Sequence, residues 1–435
     1  MPSTALALTP GLSSFLKSLK TNPIDTSIEN LVSLLKRRQI RHSRSCATAT
    51  AYLLLRVVSA CRTSESTKLI ERVQSVGRRL MAAQPREMVV GNIVRRVLGL
   101  IRDEAEDDRE AEFALSEAGS ESQPQTPRAF DDSSMPLDRD MIGMRSDGDR
   151  SSRPPLTSMF SLLSHPEPEN SLPSTPGSQS PNARLFSHGH QKDVRAEVLE
   201  GINEIIDELG QVDDQIAAYA LDHIHSNEII LTHTSSTTVQ KFLLKAAAKR
   251  KFTVIIAESF PNNHEATHAT VSGNIVGDDE NLSFDSFQKP LIAHGITVIL
   301  IPDSAVFALM SRVNKVILGT HSVLANGGLV AAAGTRVIAR AAKVHQTPVV
   351  VVSGVYKLSP VYPFDFDSLI EYGDASKVLP FEDGDLVDKI DVQNPIYDYV
   401  PAELVDLYIT NLGGHAPSYL YRIVSDHYRK EDISF

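Results

Sequence analysis

The sequence predicts an α/β protein in which an N-terminal α-helical domain precedes a Rossmann-like, doubly wound parallel-sheet domain. Five short runs in the second half of the chain are almost continuous in Val and Ile, and most are followed by sequence with helical spacing. Strands that are apolar on both faces and alternate with helices are typical of a parallel sheet covered by helices on both sides. The first hundred residues show only helical spacing of their apolar residues.

The N-terminal domain is predicted to span residues 1–102 and is strongly basic. It carries 17 Lys and Arg residues against 5 Asp and Glu, although the whole chain has a net charge of −11. A basic module joined to an acidic one indicates a negatively charged partner for the first. In the last predicted helix of this domain, Arg95, Arg96 and Arg102 lie largely off the apolar face. We interpret them either as a solvated face or as part of a partner-binding surface.

The remaining domain boundaries follow from changes in composition. Residues 103–190 are acidic at first and then rich in Pro, Ser and Gly. Such a segment cannot bury enough apolar surface to offset the entropy of ordering it, and we predict that this insertion is disordered. Residues 191–226 regain helical periodicity and connect to the α/β domain, which is predicted to span 227–435.

The first strand of the α/β domain ends in a hydroxyl-rich turn, residues 232–238, ahead of an amphipathic helix. Where a parallel strand meets a helix N-terminus, free backbone N–H groups and the helix dipole favour anions. The turn is therefore either an active site or the remains of one. A glycine-rich stretch, 325–335, follows a later strand, but it lacks the Lys-Ser/Thr ending of a P-loop and the spacing of a dinucleotide-binding turn.

Three other classes of protein are disfavoured. "HEATH", residues 264–268, matches a zinc-protease pattern, but β-branched residues and glycines follow it instead of a long helix, and we expect no metal and no cofactor. The two cysteines, Cys46 and Cys61, cannot form a disulfide scaffold. No apolar run approaches the roughly 20 residues of a membrane span, and the N-terminus is a poor signal peptide. We expect a cytosolic protein with no membrane partner.

Several of these segments together resemble a known family. They are "ILTHTSSTTV", "VIIAESFP", "VILIPDSAVFALMSRVNKVILGTHSVLANGGLVAAAGT", "VVVVSGVYKLSP" and "NLGGHAPSYLYRIVSDHY", with "AAQPREMVVGNIVRRVLGLIRDE" in the helical domain. The series resembles the regulatory subunits of eukaryotic translation initiation factor 2B, and among them the beta subunits most. The resemblance implies a non-catalytic subunit of the guanine-nucleotide exchange factor for translation initiation factor 2, one that scaffolds the complex and helps sense phosphorylation of that factor's alpha subunit.

The resemblance also implies a set of partners. These are the alpha, gamma, delta and epsilon subunits of factor 2B, in a decamer with two copies of each subunit, and factor 2 itself. The beta subunit would pair with delta through the α/β domains, and the exchange reaction would belong to epsilon with help from gamma.

The same family is related to sugar-phosphate aldose–ketose isomerases, and the resemblance implies a pocket that has lost their chemistry. The isomerases' cysteine in the first turn corresponds to Thr234, and their aspartate after the fourth strand corresponds to His321. Their Asn-Lys pair and an arginine correspond to Ala331-Ala332 and Phe260. Acid–base catalysis requires groups that titrate near neutral pH, so we expect no enzyme. The remnant anion pocket is predicted to comprise Thr232, Thr234, Ser235, His321, Asn326, Gly327 and Gly328.

Two alternative functions stay open on the sequence. One is an active sugar-phosphate isomerase in which His321 acts as the base. The other is an RNA-binding module that uses the basic N-terminal domain. Against this second alternative, Phe15 and Tyr52 are the only aromatic residues of that domain, so no stacking platform is interleaved with its arginines. We expect no specific nucleic-acid partner.

Candidate interface residues lie in two helical stretches of the α/β domain. Tyr419 is assigned to a partner-binding surface because aromatic residues are enriched at subunit interfaces, with packing in the core as the alternative. Phe307, Met310 and Val313 have the same helical spacing and are interpreted as either interface or core residues.

Overall fold

The computed structural model describes residues 11–61, 65–120, 194–259, 261, 284–362, 365–384 and 389–434. Residues up to 113 and from 192 onward belong to one compact unit, and residues 114–191 belong to a second, of which only 114–120 are described. Three features singled out above lie outside the described residues: the predicted insertion from 121 onward, Phe260, and the "HEATH" segment at 264–268.

The N-terminal region is helical, as the spacing of its apolar residues predicts. In the fifth helix Val90, Val94, Val97 and Ile101 recur at intervals of three and four, and all four are fully buried. This helix runs past the predicted domain end, because the acidic stretch after residue 102 is also rich in Ala and Glu, which are good helix formers. The helices are α1 (Leu12–Thr21), α2 (Ile24–Lys36), α3 (Ser43–Ala60), α4 (Ser66–Ala83), α5 (Met88–Ser120), α6 (Val194–Ala218) and α7 (Ala220–His223).

The rest of the described chain alternates strands with helices, and the five predicted strands are all present. The elements are β1 (Ile229–His233), α8 (Thr237–Ala247), β2 (Thr253–Glu258), α9 (Phe284–Ala293), β3 (Thr297–Pro302), α10 (Val306–Met310), β4 (Lys315–Gly319), β5 (Ser322–Val323), β6 (Leu329–Ala332), α11 (Thr335–His345), β7 (Val349–Val352), β8 (Tyr397–Val400), β9 (Leu407–Thr410), β10 (Gly413–His415) and α12 (Leu420–His427). The predicted fold class is confirmed.

The main sheet of the described residues has the strand order β10-β9-β7-β4-β1-β2-β3. Its strands are parallel except β10, which pairs antiparallel with β9. A small antiparallel sheet, β5-β6-β8, lies beside it. From β1 the chain first moves outward through β2 and β3 and then returns to β4 on the other side. The carboxyl ends of β1 and β4 therefore flank the topological switch point, where proteins of this class bind ligands.

The central strands are buried on both faces, and neighbouring residues enter different cores. Ile230 and Ile317 belong to the core that the sheet shares with the N-terminal helices, and that core extends to Phe15. Leu231 and Leu318 belong to the core on the opposite face, beneath α10, α11 and α12. The helical region and the sheet are thus joined by continuous apolar packing.

One helix is shorter than the sequence predicts. The stretch "GLVAAAGTRVIARAAKVH" has helical spacing throughout, but β6 takes its first residues and pairs with β8. Helix α11 begins only after Gly334, whose φ of +100° ends the strand. The strands β8, β9 and β10 were also not predicted, since each is only three or four residues long and lacks a continuous apolar run.

Candidate functional site

The hydroxyl-rich turn predicted from the sequence follows β1 at the switch point. Thr234 has a φ of +54°, and its N–H donates to the Ala257 carbonyl at 3.0 Å, which directs the chain into α8. The N-cap residue of α8, Ser236, makes no side-chain capping bond. Thr232 is fully buried, and its Oγ1 has no hydrogen-bond partner among the described residues, whereas Ser235 is exposed. The three predicted residues of this turn therefore lie together.

A buried histidine that the sequence did not indicate as functional lies within this turn. His233 Nδ1 lies 3.0 Å from Thr335 Oγ1, and that hydroxyl donates its proton to the Ala332 carbonyl. Nδ1 must therefore carry a proton and donate it, which leaves Nε2 as a bare acceptor with no partner among the described residues. Burial lowers the pKa of His233 to about 4, so the imidazole is neutral at physiological pH.

Because of this burial, we expect His233 to make the fold sensitive to acid. Its folded pKa of about 4 lies below the value of roughly 6.5 in an unfolded chain. As the pH falls through that window, the unfolded state binds the proton before the folded state does. The free energy of unfolding is therefore highest above about pH 6.5 and decreases towards pH 4, by on the order of 3 kcal/mol. Urea unfolding at several pH values should show a shallower loss in His233→Gln. The exposed His294→Gln is the control, and equal profiles in all three proteins would contradict this expectation.

His321, which the resemblance predicts at the position of the isomerases' aspartate, is held by residues of the N-terminal region. Its Nε2 lies 3.3 Å from a Glu87 carboxylate oxygen. Ser43 Oγ lies 3.3 Å from its Nδ1 and also donates to its backbone carbonyl at 2.9 Å. The ring stacks on Tyr397 with 4.4 Å between centroids. Both ring nitrogens are therefore engaged with protein groups, and the side chain is only 10% exposed.

The glycine-rich loop is filled by protein, in contrast to the predicted anion pocket. Asn326 Nδ2 donates to the Tyr399 hydroxyl at 3.0 Å, and its Oδ1 accepts from the Gly328 N–H at 2.9 Å. A Cβ at Gly328 would lie 2.6 Å from that hydroxyl, and one at Gly327 would lie 2.9 Å from the Pro417 carbonyl oxygen. These glycines are required for close packing against neighbouring residues, so the space they leave is occupied.

The N-terminus of α11, a second place where an anion could bind, holds an internal carboxylate. Asp398 Oδ2 accepts from the Gly334 N–H at 2.7 Å and from the Arg336 N–H at 3.2 Å. A carboxylate satisfies free N–H groups and the helix dipole in the same way as a phosphate oxygen would. Sequence reasoning missed Asp398 because it lies in β8, about sixty residues beyond the loop it caps.

A buried ionic cluster lies between α3, α6 and the strand ends. Asp213, which is 1% exposed, accepts from Thr238 Oγ1 at 2.8 Å and pairs with Arg44 at 2.5 Å. Lys357 is also buried and donates to the Thr320 carbonyl at 2.8 Å. Burial lowers the pKa of Lys357 to about 8. The cluster joins the helical region to the switch point by charge as well as by packing.

The three arginines that we placed on a partner-binding surface are engaged within the chain. The expectation that they lie off the buried face is wrong for Arg95, which is only 6% exposed. Arg96 is 15% exposed and Arg102 25% exposed, and both are ion-paired. On this side α5 is covered by the C-terminal segment and by α6. The periodicity of α5 alone does not show that other elements cover its polar side. Their partners are the Ile433 carbonyl, the Glu208 carboxylate and the Asp432 carboxylate, respectively.

Tyr419 lies on the surface, where its predicted partner role requires it. It is 43% exposed and stacks on His415 with 5.9 Å between ring centroids. The Arg422 guanidinium lies 5.8 Å from the same ring. Its contact with a partner stays a prediction.

Within the described part of the chain, no three His, Cys, Asp or Glu side chains are grouped to hold a metal. None of the described helices combines the length and the apolar composition of a membrane span.

Comparison with known proteins shows which family the chain belongs to. The model of the initiation factor 2 subunit family matches residues 39–275 and 285–417. The chain belongs to this family. A Schizosaccharomyces pombe protein, translation initiation factor eIF2B subunit beta, is 40% identical over 411 residues, which cover 93% of this chain and 96% of the relative. The resemblance stated from the sequence is confirmed.

The chain is also similar to an enzyme and to solved structures. Ribose 1,5-bisphosphate isomerase of Archaeoglobus fulgidus is 30% identical over 242 residues, which cover 55% of this chain and 71% of the enzyme. The crystal structure of eIF2B beta from Chaetomium thermophilum matches with a TM-score of 0.65 at 34% identity, over 98% of this chain and 99% of that one. The tetrameric eIF2B-beta2-delta2 complex from the same organism matches with a TM-score of 0.62 at 32% identity, over 96% and 99%.

Proposed function

We propose that this chain is a non-catalytic regulatory subunit of the guanine-nucleotide exchange factor complex for translation initiation factor 2, acting in the cytosol in the position of a beta subunit. The observation that carries the proposal is the state of the strand ends. His321 is bonded to Ser43 and Glu87, and the N-terminus of α11 is capped by Asp398. The protein's own groups thus take the places where an isomerase needs a free base and a bound phosphate.

The assembly role is supported by an exposed face on α10 and α11. Phe307 is 57% exposed, and Val337 and Val344 on the outer side of α11 are 61% and 67% exposed. Arg340 lies between the two valines and is also exposed. Met310 and Val313, the other candidates of this stretch, are buried, so of the two readings Phe307 fits an interface and the other two fit the core. We call these four exposed residues the α10–α11 face.

The partner proposed for the α10–α11 face is a delta subunit of the same complex. A relative with 32% identity has been crystallised in a complex that contains beta and delta subunits. Large apolar side chains with an arginine among them have the composition of an interface centre, where burial of each anchor contributes most of the binding energy. The alpha, gamma and epsilon subunits would then join the pair through other surfaces.

Introducing charge on this face is expected to break the pair. Phe307→Asp combined with Val344→Asp should weaken association with a delta subunit at least about thirtyfold, because two anchors would be replaced by carboxylates that must be desolvated. Co-expression of the two full chains followed by sedimentation at several concentrations measures this. Tyr421→Asp, on a residue that is 60% exposed outside this face, is the matched control. Wild-type association by the double variant would refute the assigned face.

Contact with phosphorylated factor 2 is proposed for the turn between α2 and α3. Lys36, Arg37 and Arg41 are exposed there, whereas the arginines of α5 are engaged within the chain. Arginine forms bidentate, charge-assisted bonds with phosphate and carboxylate groups. In the reconstituted complex, Arg37→Glu with Arg41→Glu should weaken binding of phosphorylated factor 2 by about tenfold. The matched control is Arg72→Glu on α4, and a loss no larger than in that control would contradict the assignment.

A further inference from the structure

A segment of the α/β domain displays apolar side chains that the proposed assembly does not use. Among the described residues, fifteen large hydrophobic side chains are exposed, and four of them lie within residues 365–384. We call this stretch the acidic–aromatic arm. The four are Phe366 at 41%, Tyr372 at 49%, Val378 at 40% and Phe381 at 78% exposure. Solvent-facing apolar groups concentrated in so short a segment indicate an interaction site.

The first half of the arm is fastened to the body of the protein. Glu371 forms an ion pair with Arg38 of the helical region, and its carbonyl accepts from the Ile396 N–H at 2.7 Å. Phe366 stacks on Tyr399 with 4.0 Å between ring centroids. The base of the arm is therefore already fixed before a partner binds. Binding then carries a smaller entropic cost, because less of the segment has to be ordered.

The second half of the arm turns its apolar residues outward through short helical turns. Asp374 caps the first of these turns by accepting from the Ser376 N–H at 3.0 Å. Val378 closes that turn, and Phe381 opens the next one. Phe381 is 78% exposed, so most of its ring stays in water. Covering the ring with another apolar surface would lower the free energy by the hydrophobic effect.

The charge of the arm identifies the chemistry of that surface. Residues 365–384 contain six Asp and Glu and a single basic residue, Lys377. Asp365, Asp367, Asp374 and Glu382 are exposed, whereas Glu371 is buried. A surface with this field repels nucleic acid, anionic membranes and the same arm of a second copy, and attracts lysine and arginine.

We propose that the acidic–aromatic arm is a docking site for a basic segment of a partner protein, one in which lysine or arginine side chains alternate with large apolar residues. The apolar residues of that segment cover Phe381 and Val378, and its cations face the carboxylates of the arm. This site goes beyond the proposed assembly role. It also does not depend on that role, since its outward-facing docking residues lie outside the α10–α11 face and the α2–α3 turn, and the ion pair between Glu371 and Arg38 of that turn only fastens the base of the arm.

The test uses the full chain and a fluorescent peptide in which lysine alternates with phenylalanine, measured by anisotropy over a range of salt concentrations. Phe381→Ser is expected to weaken binding about tenfold, and Glu382→Lys is expected to weaken it and to reduce its salt dependence. The matched controls are Tyr421→Ser and Glu403→Lys, exposed residues outside the arm, and both should bind as the wild type does.

Three results would overturn the proposal. One is unchanged binding in Phe381→Ser, or an equal loss in Tyr421→Ser. Another is equally tight binding of a peptide in which serine replaces every phenylalanine, because attraction would then rest on charge alone. The third is a wild-type chain that self-associates in sedimentation through Phe381, since the arm would then be covered by a second copy. Phe381 and Glu382 are surface residues, so these variants retain the fold.

Discussion

Asp213→Ala is expected to destabilise the fold by about 3–5 kcal/mol, as removal of one member of a buried ion pair does elsewhere. The Asp213 carboxylate is 1% exposed and compensates the Arg44 guanidinium, with a hydrogen bond from Thr238. Lys357 is buried in the same cluster, and the Asp213 charge favours its ammonium form. Without the carboxylate, two cations remain in a region with little water. Urea unfolding of the full chain near pH 7 measures the loss.

The neighbouring residue provides a matched control. Asp214 forms an ion pair with Lys241 at 2.9 Å, but its side chain is 71% exposed. An exposed pair contributes little, so Asp214→Ala should cost less than about 1 kcal/mol. Removing both charges in Asp213→Leu with Arg44→Met should destabilise less than Asp213→Ala alone, because no uncompensated charge of the pair remains. Equal losses in Asp213→Ala and Asp214→Ala would show that the buried pair does not stabilise the fold.

Asp432→Ala is expected to loosen the C-terminal segment from α5 and to cost about 2–4 kcal/mol. The Asp432 side chain is fully buried and accepts from Arg102 Nε at 2.9 Å and from its Nη2 at 3.0 Å. Arg95 donates to the neighbouring Ile433 carbonyl. Without the Asp432 carboxylate, Arg102 loses its ion pair, and the C-terminal segment is held to α5 by fewer charged contacts. Unfolding in urea and hydrogen exchange of residues 428–434 measure the effect.

Glu431 supplies the comparison for this second variant. It is adjacent to Asp432 in the chain but exposed. Glu431→Ala should leave stability within about 0.5 kcal/mol of the wild type. Equal protection of the C-terminal amides from hydrogen exchange in both variants would show that the Arg102–Asp432 pair does not hold the segment. The arginines of α5 would then be available to a partner.

At the switch point, protein groups are bonded to one another across long distances in the chain. Asp398 accepts from N–H groups at the N-terminus of α11, and His321 is bonded to the helical region. Each contact ties distant parts of the chain together, so these polar groups contribute to the stability of the fold.

The five strands rich in Val and Ile, the turn after β1 and the family could be predicted from the sequence because they depend on local patterns. Continuous apolar runs mark buried parallel strands, and hydroxyl residues ahead of a helix mark its N-terminus. His233, Asp398 and Asp213 could not be predicted, since their roles arise from partners about 100, 60 and 170 positions away in the chain. A histidine among hydroxyl residues at the end of a buried strand, as at His233, was the only local sign available.

The amino-acid sequence by itself determined the α/β class and the basic charge of the N-terminal region, because residue identity and periodicity act over a few neighbours. The correspondence of Thr234 and His321 to catalytic residues of the isomerases stays a prediction. Tertiary structure alone decided which charged residues reach solvent. Arg95 and Arg102 carry the same charge as Arg37 and Arg41, yet the C-terminal segment covers the first pair and leaves the second exposed. The physical reason is that burial depends on what packs against a helix, and that surface comes from the far end of the chain.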